Sequence, residues 1–457
     1  MHFYLGLCLY AQERFKDALK SFQKSLKLSE NDVDVYLHLG ICHRALGNLT
    51  QAEEYCRKAL RIDSQDADIY NQLAIILNEQ GRQQEAETAY LKAIELDTNH
   101  VVAHQNLGLF YRDRDKPKEA EACLRKALSI REPTAEALNN MVAILTGQNR
   151  YVEAEIYCRQ ALALTSTISD IWNNFGVILL ARMKIGEAQE AFEQALAIQP
   201  NNVRTLSNYS ETLRLAGKPS QTEVYSKKAI ELDNSHVDAY LSLGNAYHDQ
   251  GLIENAVEIL KQSLVLAPEQ LSIYSNFLYS TTCSEKFTPE SHLALAREYG
   301  RIVSKKAEQK FDTWLVNPQD QYLRVGVVSG DLRQHPVAYF LKNVIQHIDS
   351  SKIALVAYLT DGRVDSVSAE LKPYFTQWKS LVGHDHRSAA EMIHADGIHV
   401  LLDLSGHTAG NKLPIFAWRP APVQATWLGY WSTTGVAEID YCLTDEVSLP
   451  SSCQIQF

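Results

Sequence analysis

An α-solenoid of stacked helical hairpins followed by an α/β lobe with a parallel sheet is the fold class that the 457-residue sequence predicts. Three observations predict it. A 34-residue internal repeat fills the first two thirds of the chain; the repeat phase is lost after Asn276; and from Tyr322 onward short apolar runs alternate with helical periodicities.

The repeat is read from three columns of small residues. Gly6, Gly40, Ala74, Gly108, Val142, Gly176, Ser210 and Gly244 are spaced 34 apart without insertion. Twelve residues after each stand Ala18, Ala52, Ala86, Ala120, Ala154, Ala188, Thr222 and Ala256. Seven further on come Ser25, Ala59, Ala93, Ala127, Ala161, Ala195, Ala229 and Ser263. Small residues recur where two antiparallel helices cross closely, and larger ones such as Leu39, Leu73 and Leu107 fill the gaps. Turns fall at segments such as ALGN (45–48) and TGQNR (146–150). This pattern resembles the tetratricopeptide repeat over about residues 1–270. One hairpin cannot bury its apolar face alone, so the copies are expected to stack into a superhelix with a peptide-binding groove. Holding domains apart is the alternative role.

A fourth column bears on that groove. Two residues before the glycine column stand Asn106, Asn140, Asn174 and Asn208, and Asn276 continues the series in a partial ninth repeat. An asparagine amide both donates and accepts. A row of them can hold the backbone of an extended peptide without reading its sequence. The other reading is that these amides bond the carbonyls of neighbouring helices.

The second part begins near residue 280. TTCSEKFTPE (281–290) breaks the helix, SHLALAREYGRIVSKKA reads as a helix, and NPQDQ (317–321) as a polar connector. Strands are then predicted at LRVGVVSG (323–330), IALVAYL (353–359), WKSLV (378–382), IHVLLDLSG (398–406), VQATWLGY (423–430) and IDYCLTD (439–445), with helices between them. In such sheets ligands sit at the carboxyl ends of the strands. Those ends carry Ser329, Gly330, Asp331, Gln334, His335 and Pro336; Asp403, Ser405, Gly406, His407 and Thr408; and Gly429, Tyr430, Thr433 and Thr434.

The combination of repeats with SGDLRQHPVAYF, DLSGHTAGNKLPIFAWRPAPVQATWLGY and TTGVAEIDYCLTD resembles the protein O-linked N-acetylglucosamine transferase family, including its SPINDLY-type relatives. The resemblance implies an α-solenoid of tetratricopeptide repeats followed by an α/β Rossmann-like lobe, half of a GT-B fold. The implied domains are a repeat superhelix at 1–280, a helical linker at 281–321 and the first, incomplete catalytic lobe at 322–457. The implied reaction moves a sugar, GlcNAc from UDP-GlcNAc, to Ser or Thr of proteins held in the repeat groove, with inversion and without a metal. His335 is implied at the sugar–acceptor junction as a polar contact or general base, with Asp331 orienting it; an ordinary loop histidine is the alternative. Gln334, Pro336, Leu428, Gly429, Tyr430, Thr433 and Thr434 are expected around the donor, and Asn106, Asn140, Asn174, Asn208 and Asn276 around the peptide. No cofactor is expected beyond the sugar-nucleotide substrate.

Two departures from the family pattern stand out. Trp431 and Ser432 follow Leu428-Gly429-Tyr430 where much of the family has Pro-Gly, which bears on the identity of the donor sugar. Only 12 residues follow Asp445, whereas the family has a second lobe there with most nucleotide contacts and a lysine for the departing diphosphate. The expectation is therefore a truncated form, clipped at the front as well, because Met1 falls inside a repeat's first helix. A non-catalytic adaptor for protein partners is the competing reading.

Composition sets the remaining bounds. Hydrophobic residues are 46% and charged residues 22%, which excludes a disordered chain. The formal charge of −11 is shared by both parts, so the basic stripe of a nucleic-acid binder is not expected. No apolar run reaches the roughly 20 residues that span a bilayer. The eight cysteines form no CxxC pair, which argues for a reducing, cytoplasmic setting without disulfides or zinc. His384, Asp385, His386, His394 and His399 cluster in sequence, but Gly397 separates the last two from one regular helix, and no metal site is expected there.

Overall fold

The computed structural model describes residues 1–316 and 320–445; the end of the chain, with Cys453, and most of the connector at 317–321 lie outside the described residues. The described chain falls into two compact units, Met1–Gln199 and Pro200–Phe457.

The first unit holds helices α1 (His2–Ala11) to α12 (Ile185–Ile198) in antiparallel pairs such as α3 (Val33–Ala45) with α4 (Leu49–Ile62) and α11 (Ser169–Ala181) with α12. The small-residue columns work by volume. A Cβ on Gly176 would meet Phe192 at 2.6 Å, and one on Gly108 would meet Leu124 at 3.0 Å. At these two glycines the residue 16 positions later supplies the bulk, whereas Gly40 faces the smaller Cys56. Ala18, Ala52, Ala86, Ala120, Ala154 and Ala188 are all fully buried. First helices start on caps: Asp32 accepts from Val35 N–H and Asp66 from Ile69 N–H.

Two further columns appear only in the structure. The turn inside each hairpin passes through one left-handed residue: Glu13, Gly47, Gly81, Asp115, Asn149 and Met183 in this unit, with φ between 56° and 79°. A second column ties several hairpins to the next. Glu53 pairs with Arg82 (2.7 Å), Glu121 with Arg150 (2.5 Å) and Glu155 with Lys184 (3.3 Å).

The second unit begins with two more hairpins, α13 (Val203–Leu215) with α14 (Pro219–Leu232) and α15 (Val237–Asp249) with α16 (Ile253–Leu266). The phase continues through α17 (Leu271–Thr281) and breaks before α18 (Pro289–Lys306). Six strands follow: β1 (Leu323–Ser329), β2 (Ile353–Leu359), β3 (Gln377–Ser380), β4 (Val400–Asp403), β5 (Val423–Trp427) and β6 (Tyr441–Leu443). They form one sheet in the order β3-β2-β1-β4-β5-β6, and every pairing is parallel.

Alternate strand residues serve opposite faces. Val327, Leu355, Ala357 and Leu359 pack on Val337, Leu341 and Ile345 of α19 (Pro336–Ile345) and Val367 and Leu371 of α20 (Ser366–Leu371). Val328, Val356, Tyr358 and Leu401 pack on the other face with Tyr274 and Leu278 of α17, Ala296, Tyr299 and Val303 of α18, and residues of α21 (His386–Ala395) and α22 (Leu413–Ala417). The helix expected within a linker at 281–321 is present but belongs to this core, with Tyr299 fully buried. The division at residues 199 and 200 likewise differs from the expected boundary at 280, because α17 and α18 bring the last repeats and the sheet into one packed body.

Seven cysteines among the described residues are free thiols, and Cys42, Cys56 and Cys158 are fully buried as small apolar residues. No helix among the described residues is long and apolar enough to cross a membrane.

Candidate functional site

The strand order reverses direction between β1 and β4, and such a point leaves a crevice at the carboxyl ends of the strands. A cavity of about 410 Å³ lies there. One wall comes from the lobe: Asp331, Arg333 and His335 after β1, Asp361 and Arg363 after β2, and His407, Thr408 and Gly410 after β4. The other comes from repeat helices: Arg214 of α13, Asn245, His248 and Asp249 of α15, and Asn276 and Tyr279 of α17.

The loop after β1 is built tightly. Asp331 donates its N–H to the Ser329 hydroxyl at 3.0 Å, and Leu332 is buried as an anchor. Asp331 itself is buried, and burial raises its pKa against the opposing pull of His335 and Arg333. His335 is the N-cap of α19, with Pro336 at the first helical position. Its Nδ1 accepts the Val337 N–H at 3.3 Å and lies 3.8 Å from Asp331 Oδ2. In a neutral ring so bonded, the proton sits on Nε2, which is then a donor. General-base action at Nε2 requires Nδ1 to carry the proton and Asp331 to close the remaining distance.

The charges in the cavity are matched. Arg333 lies 3.5 Å from Asp331, Arg363 donates through Nε to Asp361 at 2.7 Å, and Arg214 bridges Glu211 and Asp249, each at 2.9 Å or less. The loop after β4 is held by Asp403. Its fully buried carboxylate accepts from the N–H groups of Ser405 and Gly406 and from the Thr426 hydroxyl, while burial raises its pKa. His407 donates Nε2–H to the Thr434 carbonyl at 3.0 Å, leaving Nδ1 to accept from the Ser275 hydroxyl at 3.1 Å. Full burial pushes the His407 pKa down to about 3, so this ring is neutral and structural.

The predicted site residues divide. Asp331, His335 and Asn276 line the cavity. Gln334 is exposed, with its N–H on Asp365 at 2.6 Å, and Pro336 is exposed at the start of α19. Leu428 has φ +70°, and Gly429 lies so close to the Leu404 carbonyl that a Cβ would overlap it. Tyr430 is buried against His407, with ring centroids 5.3 Å apart, and Trp431 packs on Tyr279 at 5.5 Å. Thr433 and Thr434 line a separate cavity of about 240 Å³ beside β5 and β6.

In the asparagine column, Asn106 donates to Asn71 Oδ1 at 3.0 Å and Asn174 to Asn139 Oδ1 at 2.9 Å in the first unit. In the second, Asn276 donates to Asn245 Oδ1 at 3.0 Å. These partners are neighbouring side-chain amides rather than the helix carbonyls weighed above, and all five column residues stay half-buried.

Sequence reasoning missed Arg214, Asn245, His248 and Tyr279, because nothing marks which repeat faces a lobe. Asp361 and Arg363 had a signal, since TDGR ends a predicted parallel strand. Among the described residues no group of three or more His, Cys, Asp or Glu is placed to hold a metal ion. His394 bonds the Thr313 carbonyl, His399 accepts the Arg324 N–H, and Asp385 caps α21.

Residues 274–457 match the model of glycosyl transferase family 41. Tetratricopeptide repeat models match residues 1–32, 31–99, 65–132, 134–168, 169–202 and 237–270. The chain is an O-GlcNAc transferase-like tetratricopeptide repeat protein. This transferase-like chain is 32% identical over 200 residues to a probable UDP-N-acetylglucosamine–peptide N-acetylglucosaminyltransferase SPINDLY of Oryza sativa subsp. japonica, covering 42% of the chain and 21% of that protein. It is 37% identical over 134 residues to a UDP-N-acetylglucosamine–peptide N-acetylglucosaminyltransferase of Caenorhabditis elegans, covering 28% and 12%. Among solved structures, a mutant O-GlcNAc transferase of Thermobaculum terrenum matches with a TM-score of 0.60 and 27% identity over 63% of this chain and 55% of that one. The transferase-like chain thus spans about a fifth or less of the length of the curated relatives it matches.

Proposed function

We propose that the protein takes part in O-glycosylation of proteins, transferring GlcNAc from UDP-GlcNAc to Ser or Thr side chains presented by its repeats. The observation that carries this reading is the cavity itself: the strand ends with Asp331 and His335 face the repeat helices with Asn245 and Asn276 across one space. A peptide held by repeat amides brings its hydroxyl to the strand ends, where a sugar nucleotide is expected in a doubly wound sheet.

In the reaction, the hydroxyl oxygen forms a bond to the anomeric carbon from the face opposite the diphosphate. The bond from that carbon to the phosphate oxygen breaks, and its electron pair leaves with the nucleoside diphosphate. The hydroxyl proton passes to a base or to the departing phosphate, and no metal ion takes part. His335, the N-cap of α19, offers Nε2–H to a sugar or phosphate oxygen in the tautomer that its Nδ1 contact with Val337 N–H implies, and buried Asp331 fixes its loop. Positioning and oriented polar groups supply the rate enhancement in such a site.

The test offers UDP-GlcNAc and GDP-fucose in parallel to Ser- and Thr-containing peptides and reads the mass added. Addition of an N-acetylhexosamine with an inverted anomeric centre, in buffer with chelator, is expected. Addition of a deoxyhexose alone overturns the donor assignment, and peptide binding without any addition favours the adaptor reading.

A further inference from the structure

The first hairpin carries a surface that the transfer reading does not use. Lys16, Lys20 and Lys24 lie along one face of α2 (Phe15–Leu26), and Lys27 continues that face at its C-cap. All four lysines are exposed. A cavity of about 740 Å³ opens where α2 meets α3. Lys20, Lys24 and Lys27 line it together with Leu26 and Tyr36, and Glu30 is the acid among its lining residues. Asp17 lies 3.6 Å from Lys20 but is held more closely by Arg14, at 2.9 Å. Among the described residues, no acid lies within ion-pair distance of Lys24 or Lys27.

The repeat itself shows that this charge is particular to the first hairpin. The columns of Lys20, Lys24 and Lys27 hold Glu54, Lys58 and Arg61 in the second hairpin and Thr88, Lys92 and Glu95 in the third. In both, an acid pairs with the middle lysine: Lys58 with Glu54 at 2.7 Å and Lys92 with Glu95 at 3.0 Å. The next two hairpins have Ala122, Lys126 and Ser129, then Ile156, Gln160 and Ala163. Stacking of hairpins therefore does not require cations in these columns. Only the first hairpin gathers three of them around one cavity, in a chain whose formal charge is −11.

The lining states the kind of partner. Lysines side by side repel one another and gain when carboxylates lie across them. No arginine fork lines the cavity, while Leu26 and the Tyr36 ring give it an apolar wall. A space of this volume takes several side chains rather than a single ion. We propose that the first hairpin docks an acidic peptide segment of a partner protein. Its carboxylates meet Lys20, Lys24 and Lys27, and an apolar side chain among them rests on Leu26 and Tyr36. The site uses the second helix of its hairpin, whereas Asn106, Asn140, Asn174 and Asn208 stand on first helices. The contact is thus separate from the hold on an acceptor chain and does not depend on the transferase reading.

The experiment measures fluorescence anisotropy of two short labelled peptides with the whole protein at low salt. One is rich in glutamate around a central leucine; the other has glutamine for each glutamate. Wild type is expected to bind the glutamate peptide about tenfold more tightly, since each exposed ion pair gives about twofold and three act together. Lys20→Gln, Lys24→Gln and Lys27→Gln combined should abolish that preference. A control combining Lys92→Gln, Lys126→Gln and Lys228→Gln removes the same charge from the Lys24 column of other hairpins and should keep it. Melting curves check that both variants fold. Equal binding of the two peptides by wild type overturns the proposal. An equal loss in both variants does so too, because net charge alone would then be at work. Displacement of the glutamate peptide by inorganic phosphate at equal concentration would mark a small-anion site and overturn it as well. Sugar transfer to short serine peptides should be the same in all three proteins. A fall in the first variant alone would place the lysines in the transfer site and refute their separate role.

Discussion

The left-handed column inside the hairpins allows a paired test of how the repeats are held. Gly47 has φ +78°, and a Cβ added there would meet nothing within 4 Å. Gly47→Ala therefore carries no packing change, only backbone strain. An L-residue in this region costs roughly 1–2 kcal/mol. Removing glycine's extra freedom in the unfolded chain returns about 0.5–1 kcal/mol. The net is a loss of about 1 kcal/mol. Met183 occupies the equivalent turn at φ +59°, and its side chain is 47% exposed. Met183→Gly runs the same balance backwards and should gain up to about 1 kcal/mol. Urea unfolding followed by far-UV circular dichroism reads both, as opposite shifts of the first transition at unchanged slope. Shifts of the same sign, or none in Gly47→Ala, would refute the claim that backbone conformation governs this column.

Three further outcomes follow from the packing. Gly300 of α18 lies so close to the Gly435 loop that a Cβ would stand 2.7 Å from the Gly435 carbonyl carbon, whereas one on Gly186 of α12 would meet nothing within 4 Å. Gly300→Ala should cost about 2 kcal/mol or more as overpacking, while Gly186→Ala should be neutral or stabilising; equal effects in urea melts would contradict this. His407 has a folded pKa of about 3 against an ordinary 6.5, so its neutral burial costs nothing above pH 6.5. As pH falls from there toward 3, the unfolded chain takes up a proton that the native one does not, and stability declines by about 1.4 kcal/mol per pH unit from this group. His407→Gln should flatten the slope of stability between pH 6 and 4 by about that amount, and an unchanged slope would show the ring is not buried neutral. Finally, replacing Asn106, Asn140, Asn174 and Asn208 together by alanine should weaken peptide binding while leaving the helical melt within a few kcal/mol of wild type; unaltered binding would make the column purely structural.

Much of this structure is legible in the sequence because its causes are local. The 34-residue columns of small residues name the hairpins, and the buried strands announce themselves as apolar runs ending in Gly, Ser or Asp. The role of α18 was not legible. Its periodicity gives a helix, but only the fit of Gly300 against Gly435, and of Tyr299 into the sheet's core, places it in the lobe. The same limit governs the site. Asp331, His335 and Asn276 converge as a reader of strand ends and columns would hope, yet Thr433 and Thr434 turn to another cavity. Gly429 and Tyr430, expected around the donor from their motif, are packed here against the Leu404 carbonyl and against His407. Arg214 and His248 enter the cavity through the stacking of repeats on the lobe, a long-range outcome that no spacing in the chain encodes.

The central claim is that the cavity at the ends of β1 and β4 is where sugar transfer takes place. The most direct measurement is the rate of labelled GlcNAc transfer from UDP-GlcNAc to Ser and Thr peptides by wild type and by His335→Asn. Asparagine retains an oxygen to cap α19, so the fold and its melting temperature should hold, while Nε2 is lost. The account predicts transfer by wild type and a fall of about a hundredfold or more in the variant. Equal rates in the two proteins, at equal stability, would contradict it.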